Sequence, residues 1–339
     1  MGIISIKNQP RIIVLGIEST AHTFGVSITD SENGIISDVK DVYSSPPGSG
    51  IHPREASRHH SRVASKVVDK ALRMANVSAD EVDAIAYSAG PGLGPCLRVG
   101  GVVARTLASY LKKPLMAVNH AIGHIELAAH LTNMRDPVVL LATGGHTLIA
   151  THDEGRWRIF GETLDITLGQ LLDQFGRTIG LSSPAGPQIE DLASSSQRYI
   201  ELPYTVKGND LSLSGVLTSA KMLYRKGAKV ADLAYSVQET AFAMVVETCE
   251  RALAFLGKEE LLLTGGVAAN KRFNSMLSEA CKRFGFSFNC IPRNYSGDCG
   301  AQIAWLGILD FWCGNMVQPA KAGVVQSWRL SEVDTPWRS

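Results

Sequence analysis

Apolar positions along the chain recur with two periods. Short apolar runs closed by Gly, Ser, Thr or Asp read as strands, and apolar residues spaced by three and four read as helices. Ile12-Ile13-Val14-Leu15-Gly16-Ile17 is the first buried strand. The polar turn Glu18 to Thr23 leads to a return strand, Phe24 to Ile28, and Asp30 to Gly34 turns again. Ser44 to Pro53 is a loop by composition. A helix over Arg54 to Asn76 follows, then a strand over Val82 to Ser88, a helix over Leu97 to Leu111 and a strand over Pro114 to Val118.

The opening pattern returns about 124 residues on. Val138 to Leu141 enters Ala142-Thr143-Gly144-Gly145-His146-Thr147 and leaves through Leu148-Ile149-Ala150. Placing His22-Thr23 over His146-Thr147 also aligns Val14 with Val138 and Ser19 with Thr143. A single repeat of this size predicts a duplicated domain rather than a solenoid. Two like domains, each offering a hydroxyl-rich hairpin to a shared cleft, is the plan of the actin-like ATPases and sugar kinases. Beyond the repeat, Trp157 to Gly161 predicts a strand. A helix runs through Leu171, Leu172, Phe175 and Ile179, and a Pro-Gly turn over Leu181 to Pro187 precedes a helix holding Glu190. Pro203 to Ser212 reads as a polar loop, followed by amphipathic helices at about Leu213 to Tyr224 and Ala231 to Leu256. Glu260 to Leu263 is a strand, and Cys299 to Phe311 an apolar helix. The expected division is an extension at 1–11, a first lobe at 12–135 joined by a returning C-terminal helix at 299–325, a second lobe at 136–298, and a tail at 326–339.

With 339 residues, 45% hydrophobic and 19% charged, the chain can bury two cores. Met1 to Arg11 lacks a signal-peptide core, and no apolar run reaches the ~20 residues that span a bilayer, so a cytoplasmic protein with no membrane role is expected. The six cysteines include no Cys-x-x-Cys pair, which leaves buried free thiols as the reading. A net charge of +1 draws nucleic acid by no global field. RNA binding would need a local patch or a basic partner. The Arg54–Asn76 helix, with Arg54, Arg58, His59, His60, Arg62 and Lys66, reads as a solvated basic face or as an RNA-phosphate contact.

The candidate chemistry centres on Val118-Asn119-His120-Ala121-Ile122-Gly123-His124. Two imidazoles at i and i+4 share a helix face, which is half a metal site or an ordinary surface pair. The motif is not His-Glu-x-x-His, so the general base of that metalloprotease pattern is missing. Asp298, just before the last helix, reads as its N-cap and equally as a third ligand. Two imidazoles and a carboxylate suit Fe(II) or Zn(II). Thr264-Gly265-Gly266-Val267-Ala268-Ala269-Asn270 joins a strand to a helix, where open α/β sheets bind ligands. An adenosine could approach its bare backbone, or the segment is a tight turn with Asn270 opening a helix.

Together these segments closely resemble the universal tRNA threonylcarbamoyladenosine synthases, in the archaeal and eukaryotic form that is the catalytic subunit of the KEOPS complex. The carrying motifs include Gly16-Ile17-Glu18-Ser19-Thr20-Ala21-His22-Thr23, Gly90-Pro91-Gly92-Leu93-Gly94-Pro95, the His120/His124 segment, Gly161-Glu162-Thr163-Leu164-Asp165-Ile166, Gly265 to Asn270 and Gly297-Asp298-Cys299-Gly300-Ala301. The match runs from about Ile12 to Arg338. It implies an α/β actin-like ATPase fold of two RNase H-like lobes. It implies transfer of threonylcarbamoyl from threonylcarbamoyl-AMP to N6 of the adenosine just 3′ of the anticodon, in tRNAs reading codons that begin with A. By position, the metal ligands would be His120, His124 and Asp298. The adenine nucleotide, threonylcarbamoyl-AMP or ATP, would lie against Leu141, Ala142, Thr143, Gly144, Gly145, Asp173, Gly186, Glu190, Gly265, Gly266 and Asn270. Apart from the resemblance, Glu18 is expected to orient a water or metal-bound group in the catalytic centre. The implied partners are the tRNA anticodon stem-loop, a kinase-like ATPase, a small dimerising subunit and a tRNA-binding subunit. This chain departs from the family in having Leu141 for a Tyr that can join the metal's coordination. His146 stands for an Asn, Ala185 for a Gly, Cys299 for an Asn and Gln302 for a Met, so His146 is a candidate compensating ligand. The rival readings are a metalloprotease, a small-molecule kinase of the same fold and a non-enzymatic scaffold.

Overall fold

The computed structural model of the chain describes residues 9–46 and 48–338. Most of the expected extension at 1–11 and the last residue of the expected tail lie outside the described residues. β1 (Ile13–Glu18), β2 (Thr23–Asp30) and β3 (Gly34–Val42) form an antiparallel meander. α1 (Pro53–Ala75), β4 (Ala84–Gly90), α2 (Gly94–Leu111) and β5 (Leu115–Asn119) complete a sheet ordered β3-β2-β1-β4-β5, with β1, β4 and β5 parallel. α3 (His120–Thr132) leads to the second half, which begins with β6 (Val138–Ala142), β7 (Thr147–Asp153) and β8 (Arg156–Glu162). α4 (Leu168–Thr178) and α5 (Gly186–Ser194) follow, then a small hairpin of β9 (Val206–Lys207) and β10 (Asp210–Leu211), and α6 (Ser214–Arg225) and α7 (Val230–Leu256). β11 (Glu260–Thr264), α8 (Lys271–Phe284), β12 (Ser287–Cys290) and α9 (Gly300–Trp312) close the chain's regular structure.

The second sheet is ordered β12-β11-β6-β7-β8. This is the first sheet's order, β5-β4-β1-β2-β3, repeated strand for strand with the same parallel and antiparallel pairings. The duplication expected from Val14 over Val138 is therefore real, and the fold is the two-lobed α/β plan of the actin-like ATPases. Period-two alternation sorts the first sheet's side chains. Leu15 and Ile17 join a core with Val67, Val68 and Ala104 from α1 and α2, while Val14 faces the opposite core with residues of α9.

α9 is mostly apolar, and Gly300 to Asp310 are all buried, Gln302 and Asp310 among them. It lies across β1, β2, β4 and β5 and against α3. The approach to β1 is so close that a Cβ on Gly16 would stand 2.3 Å from the backbone nitrogen of Ala304. Only a residue without a side chain fits there.

Several expectations shift. The C-terminal helix expected over 299–325 ends at Trp312, where Cys313 caps it and Gly314 turns at φ 75°. The rest of that segment is irregular chain held on the first lobe. The Val317 N–H donates to the Leu115 carbonyl at 2.9 Å, and the Val325 N–H to that of Ala89 at 2.7 Å. The following residues reach the second lobe, where Asp334 bridges to Arg156 of β8, and the buried Arg338 pairs with Glu126 of α3 at 2.6 Å. Trp157 donates to the same carboxylate at 2.9 Å. Glu18 is the last residue of β1 rather than part of a turn, and α2 starts at Gly94 rather than Leu97, with Pro95 in its first turn. β3 and β12 carry too many exposed positions for an apolar run to mark them. Cys96, Cys249, Cys281 and Cys299 are buried, while Cys290 and Cys313 are partly exposed. Among the described residues no helix is long and apolar enough to cross a membrane.

Two predictions follow from α9. Gly16→Ala should lower the thermal midpoint by the equivalent of about 1–3 kcal/mol, because backbone on both sides must move. An unchanged melting curve would mean that the helix is not clamped on the strand. Burial pushes the Asp310 carboxyl up to about 7, even though Asn315 donates to it at 2.9 Å. The native state then holds a proton that the unfolded chain releases near pH 4, so stability falls as pH rises from about 4 to 7. Asp310→Asn should therefore raise the midpoint at pH 8 and leave it unchanged near pH 4. A gain that does not depend on pH would contradict this origin.

Candidate metal centre and nucleotide positions

α3 begins where β5 ends. Asn119 caps the helix by accepting from the Ala121 and Ile122 N–H groups at 3.0 and 3.2 Å. This fixes His120 at the first helical position and puts His124 one turn on, on the same face. The two rings stand 4.7 Å apart, edge to face.

Asp298 arrives from the far end of the sequence. The expected N-cap role falls to Cys299, whose backbone is extended and whose side chain makes no capping bond. The Asp298 carboxylate is thereby free to face the histidines. Its Oδ1 is 3.3 Å from His124 Nε2 and 3.6 Å from His120 Nε2. Ligand atoms of the three residues all lie within 4.8 Å of one another. Ligands bonded at about 2.1 Å to one tetrahedral ion stand roughly 3.4 Å apart, so the donor set fits a single divalent ion. The His124 side chain is 0% exposed, that of His120 7% and that of Asp298 16%, so the group opens to solvent on the carboxylate side.

Glu18 is fully buried at the end of β1. Its Oε1 accepts from the Thr20 N–H and hydroxyl, both at 2.6 Å, and its Oε2 accepts from His120 Nδ1–H at 2.8 Å. That bond places the proton on Nδ1 and turns the lone pair of Nε2 toward Asp298, as a carboxylate does behind a metal-ligating imidazole. The Gln302 amide nitrogen is 3.0 Å from the same Nδ1, which the charge-assisted bond to Glu18 already occupies.

The electrostatics are consistent with this arrangement. Burial opposes a charge on His120, but Glu18, by charge and hydrogen bond, and Asp298 together raise it to about 9. Burial lowers His124 despite its bond to Asp298. Burial also opposes ionisation of Asp298, yet the His124 hydrogen bond and the charges of His120, His124 and His22 hold it well below the usual range. Two carboxylates around two imidazoles make a site that calls for positive charge.

The expected nucleotide positions form a connected rim. Leu141 and Ala142 are buried at the end of β6, so they offer backbone rather than side chain. Thr143 organises the loop beyond them. Its hydroxyl accepts from the Gly145 and His146 N–H groups at 3.0 and 2.8 Å, and both glycines are exposed. Gly265 lies against this loop, since a Cβ there would meet the Ala142 carbonyl at 2.4 Å. Asp173 Oδ1 accepts from the Ala185 N–H at 2.6 Å, beside Gly186 at the start of α5. Glu190 Oε1 accepts from the Lys271 N–H at 2.7 Å. The side chain of Asn270 is already used, capping α8 through Phe273 N–H and donating to Gln238 at 2.6 Å. Gly266 opens a 3-10 turn between Gly265 and Asn270. The Thr264 hydroxyl, which precedes this turn, donates to the His124 carbonyl at 3.2 Å and so joins rim to metal centre.

One residue read as part of a basic face belongs inside. His60 is fully buried, its Nε2–H donates to the Ala21 carbonyl at the β1–β2 tip at 3.0 Å, and burial lowers it to about 4. Its spacing by four from Ala56 and Ala64, both buried, was the available signal. Arg54, Arg58, Arg62 and Lys66 are exposed, as expected.

The sequence matches the family profile described as TsaD, tRNA N6-adenosine threonylcarbamoyltransferase, over residues 34–305. A relative of that name from Thermofilum pendens is 50% identical over 96% of this chain and 97% of its own length. Another from Methanopyrus kandleri is 47% identical over 96% of each. A probable bifunctional tRNA threonylcarbamoyladenosine biosynthesis protein from Methanothermobacter thermautotrophicus is 48% identical over 96% of this chain but only 61% of its own length. Among solved structures, HypF from T. kodakarensis superposes with a TM-score of 0.60 at 14% identity, covering 88% of this chain and 48% of that one. The activator of 2-hydroxyisocaproyl-CoA dehydratase from Clostridium difficile, with bound ADPNP, superposes with 0.55 at 11%, covering 89% and 96%. These last two likenesses concern the fold.

Proposed function

The chain belongs to the tRNA N6-adenosine threonylcarbamoyltransferase family, and we propose that it performs this transfer at a single divalent-metal centre formed by His120, His124 and Asp298. The observation that carries the reading is the convergence of these three donors, from the start of α3 and the entry to α9, beside the Thr264–Asn270 turn. The chain is a transferase. The metalloprotease, small-molecule kinase and scaffold readings fall with the family assignment.

The proposed substrate is threonylcarbamoyl-AMP, whose adenylate lies along the rim. Gly144 and Gly145 give it close access to backbone, and the Gly265-Gly266 turn faces the adenine. Asp173 Oδ2 and Glu190 Oε2, whose partner oxygens hold Ala185 and Lys271, remain for sugar hydroxyls. Asn270, already committed to α8 and Gln238, serves by shaping the turn. A divalent ion, Fe(II) or Zn(II), bound by the three donors would supply Lewis acidity against the charge that develops on the acyl oxygen. Glu18 acts as a positioning residue, fixing the tautomer and orientation of His120 with both oxygens already occupied. The N6 amine of the adenosine just 3′ of the anticodon forms a bond to the acyl carbon, the bond to phosphate breaks, and AMP leaves. The base must be unstacked to reach the site.

The RNA partner is the anticodon stem-loop of tRNAs reading codons that begin with A. A net charge of +1 gives this chain little general attraction for RNA, which supports a complex of the KEOPS kind with a kinase-like ATPase, a small dimerising subunit and a tRNA-binding subunit. The bifunctional name of the M. thermautotrophicus relative supports coupling to a further activity. Cytoplasmic location fits a tRNA substrate.

Turnover of threonylcarbamoyl-AMP with an anticodon stem-loop should fall on the order of 100-fold or more in His120→Ala and in Asp298→Ala. Near-normal rates in either would refute the role given to the ion. Glu18→Gln should weaken metal binding about 10–100-fold, measured by chelator competition, because the imidazole loses its orienting carboxylate. Unchanged affinity would remove Glu18 from the site.

A further inference from the structure

The entry to α9 is capped from outside its own segment. Gly300, Ala301 and Gln302 open the helix, and their N–H groups have no earlier helical carbonyl to bond. Cys299, at the cap position, makes no side-chain capping bond. Asp38 of β3, 263 residues from Ala301 in the sequence, supplies that bond instead. Its Oδ1 accepts from the Ala301 N–H at 3.1 Å, and the Gly300 N–H also bonds to this carboxylate. An acceptor on the second helical N–H is the bond a local cap would make. The strands are set for this. Asp38 pairs with Ser27 across β3 and β2, and a Cβ on Gly300 would stand 2.3 Å from the Ser27 backbone nitrogen. The start of α9 therefore lies on the strand pair at the register of Asp38.

We propose that Asp38 is a positioning residue for the metal centre, which by occupying the N-terminus of α9 leaves the Asp298 carboxylate to the ion. The N-terminus of a helix carries partial positive charge and attracts a nearby carboxylate. Asp298 stands one residue ahead of Cys299, next in line for that role. With Asp38 in place, Asp298 Oδ1 faces His124 Nε2 at 3.3 Å and His120 Nε2 at 3.6 Å. Without Asp38, the helix start moves back by one residue and Asp298 becomes the cap, accepting from N–H groups of its own helix. The centre then keeps two imidazoles and loses its carboxylate. Asp38 is outside the grouped donors and acts only through Asp298. Apolar packing sets where the entry to α9 lies, and Asp38 sets what Asp298 does there.

This inference rests on the metal reading above, and the test separates the two. The full chain is stripped of metal and titrated with Co²⁺, following the visible ligand-field bands and the affinity by chelator competition. Each variant is first melted without metal. Asp38→Ala and Asp38→Leu remove the acceptor, the second keeping the bulk. Asp38→Asn keeps an acceptor without the charge, and Asn caps about as well as Asp. His120→Ala and Asp298→Ala mark the loss of a ligand. Asp38→Ala and Asp38→Leu should bind on the order of tenfold or more weaker, with bands like those of Asp298→Ala. Asp38→Asn should keep the wild-type bands and bind within about threefold of wild type. Adding Asp38→Ala to Asp298→Ala should weaken binding no further, because no carboxylate is left to divert. If Asp38→Ala and Asp38→Leu lower the melting midpoint but keep wild-type bands and affinity within about twofold, while His120→Ala and Asp298→Ala lose binding, the inference is overturned and the metal centre stands. Asp38→Asn binding as weakly as Asp38→Ala would also overturn it, since charge rather than capping would then be the cause. If wild type binds no Co²⁺, the metal reading falls and takes this inference with it.

Discussion

The packing of α9 against β1 and α3 is the contact on which the rest depends. Asp298 lies 174 residues from His124, and nothing local brings the two together. They meet because α9 is buried on all sides and pressed onto the first sheet until its backbone touches that of β1 at Gly16. α3 rests on the same helix, so one apolar clamp fixes both the histidine face and the residue before the helix start. The site's geometry is thus set by apolar close packing, which tolerates little displacement.

On that scaffold, charge does the selecting. Glu18 and Asp298 are carboxylates with little or no exposure, and they bracket His120. Without a cation they hold a proton on the imidazole, and a divalent ion would satisfy the same demand. Glu18 has no free oxygen, since Thr20 and His120 take both. It sets the imidazole's tautomer from behind the ring, and the open side of the group is left to substrate.

Much of this was legible in the sequence, for reasons that differ by element. The duplication could be read because both hairpins keep a buried strand, a hydroxyl and His-Thr at one spacing. The His120–His124 face follows from helical geometry alone. The tie to Asp298 does not, because a contact between distant segments leaves no periodic trace, and local capping rules pointed to another role. β3 and β12 went unmarked because edge strands with exposed positions carry mixed patterns. His60 reads as surface because it sits among arginines, although its spacing from Ala56 and Ala64 puts it inside. The buried Arg338–Glu126 pair, which anchors the end of the described chain, could not be read from either residue's neighbours.

The central claim is that α3 and the entry to α9 together grip one divalent ion. Anomalous diffraction from crystals of the protein, collected at the absorption edge of the metal it carries, tests this most directly. The account predicts one peak per chain, about 2.0–2.2 Å from the Nε2 atoms of His120 and His124 and from a carboxylate oxygen of Asp298. A metal-replete crystal with no peak there, or with its peak among other residues, would contradict it.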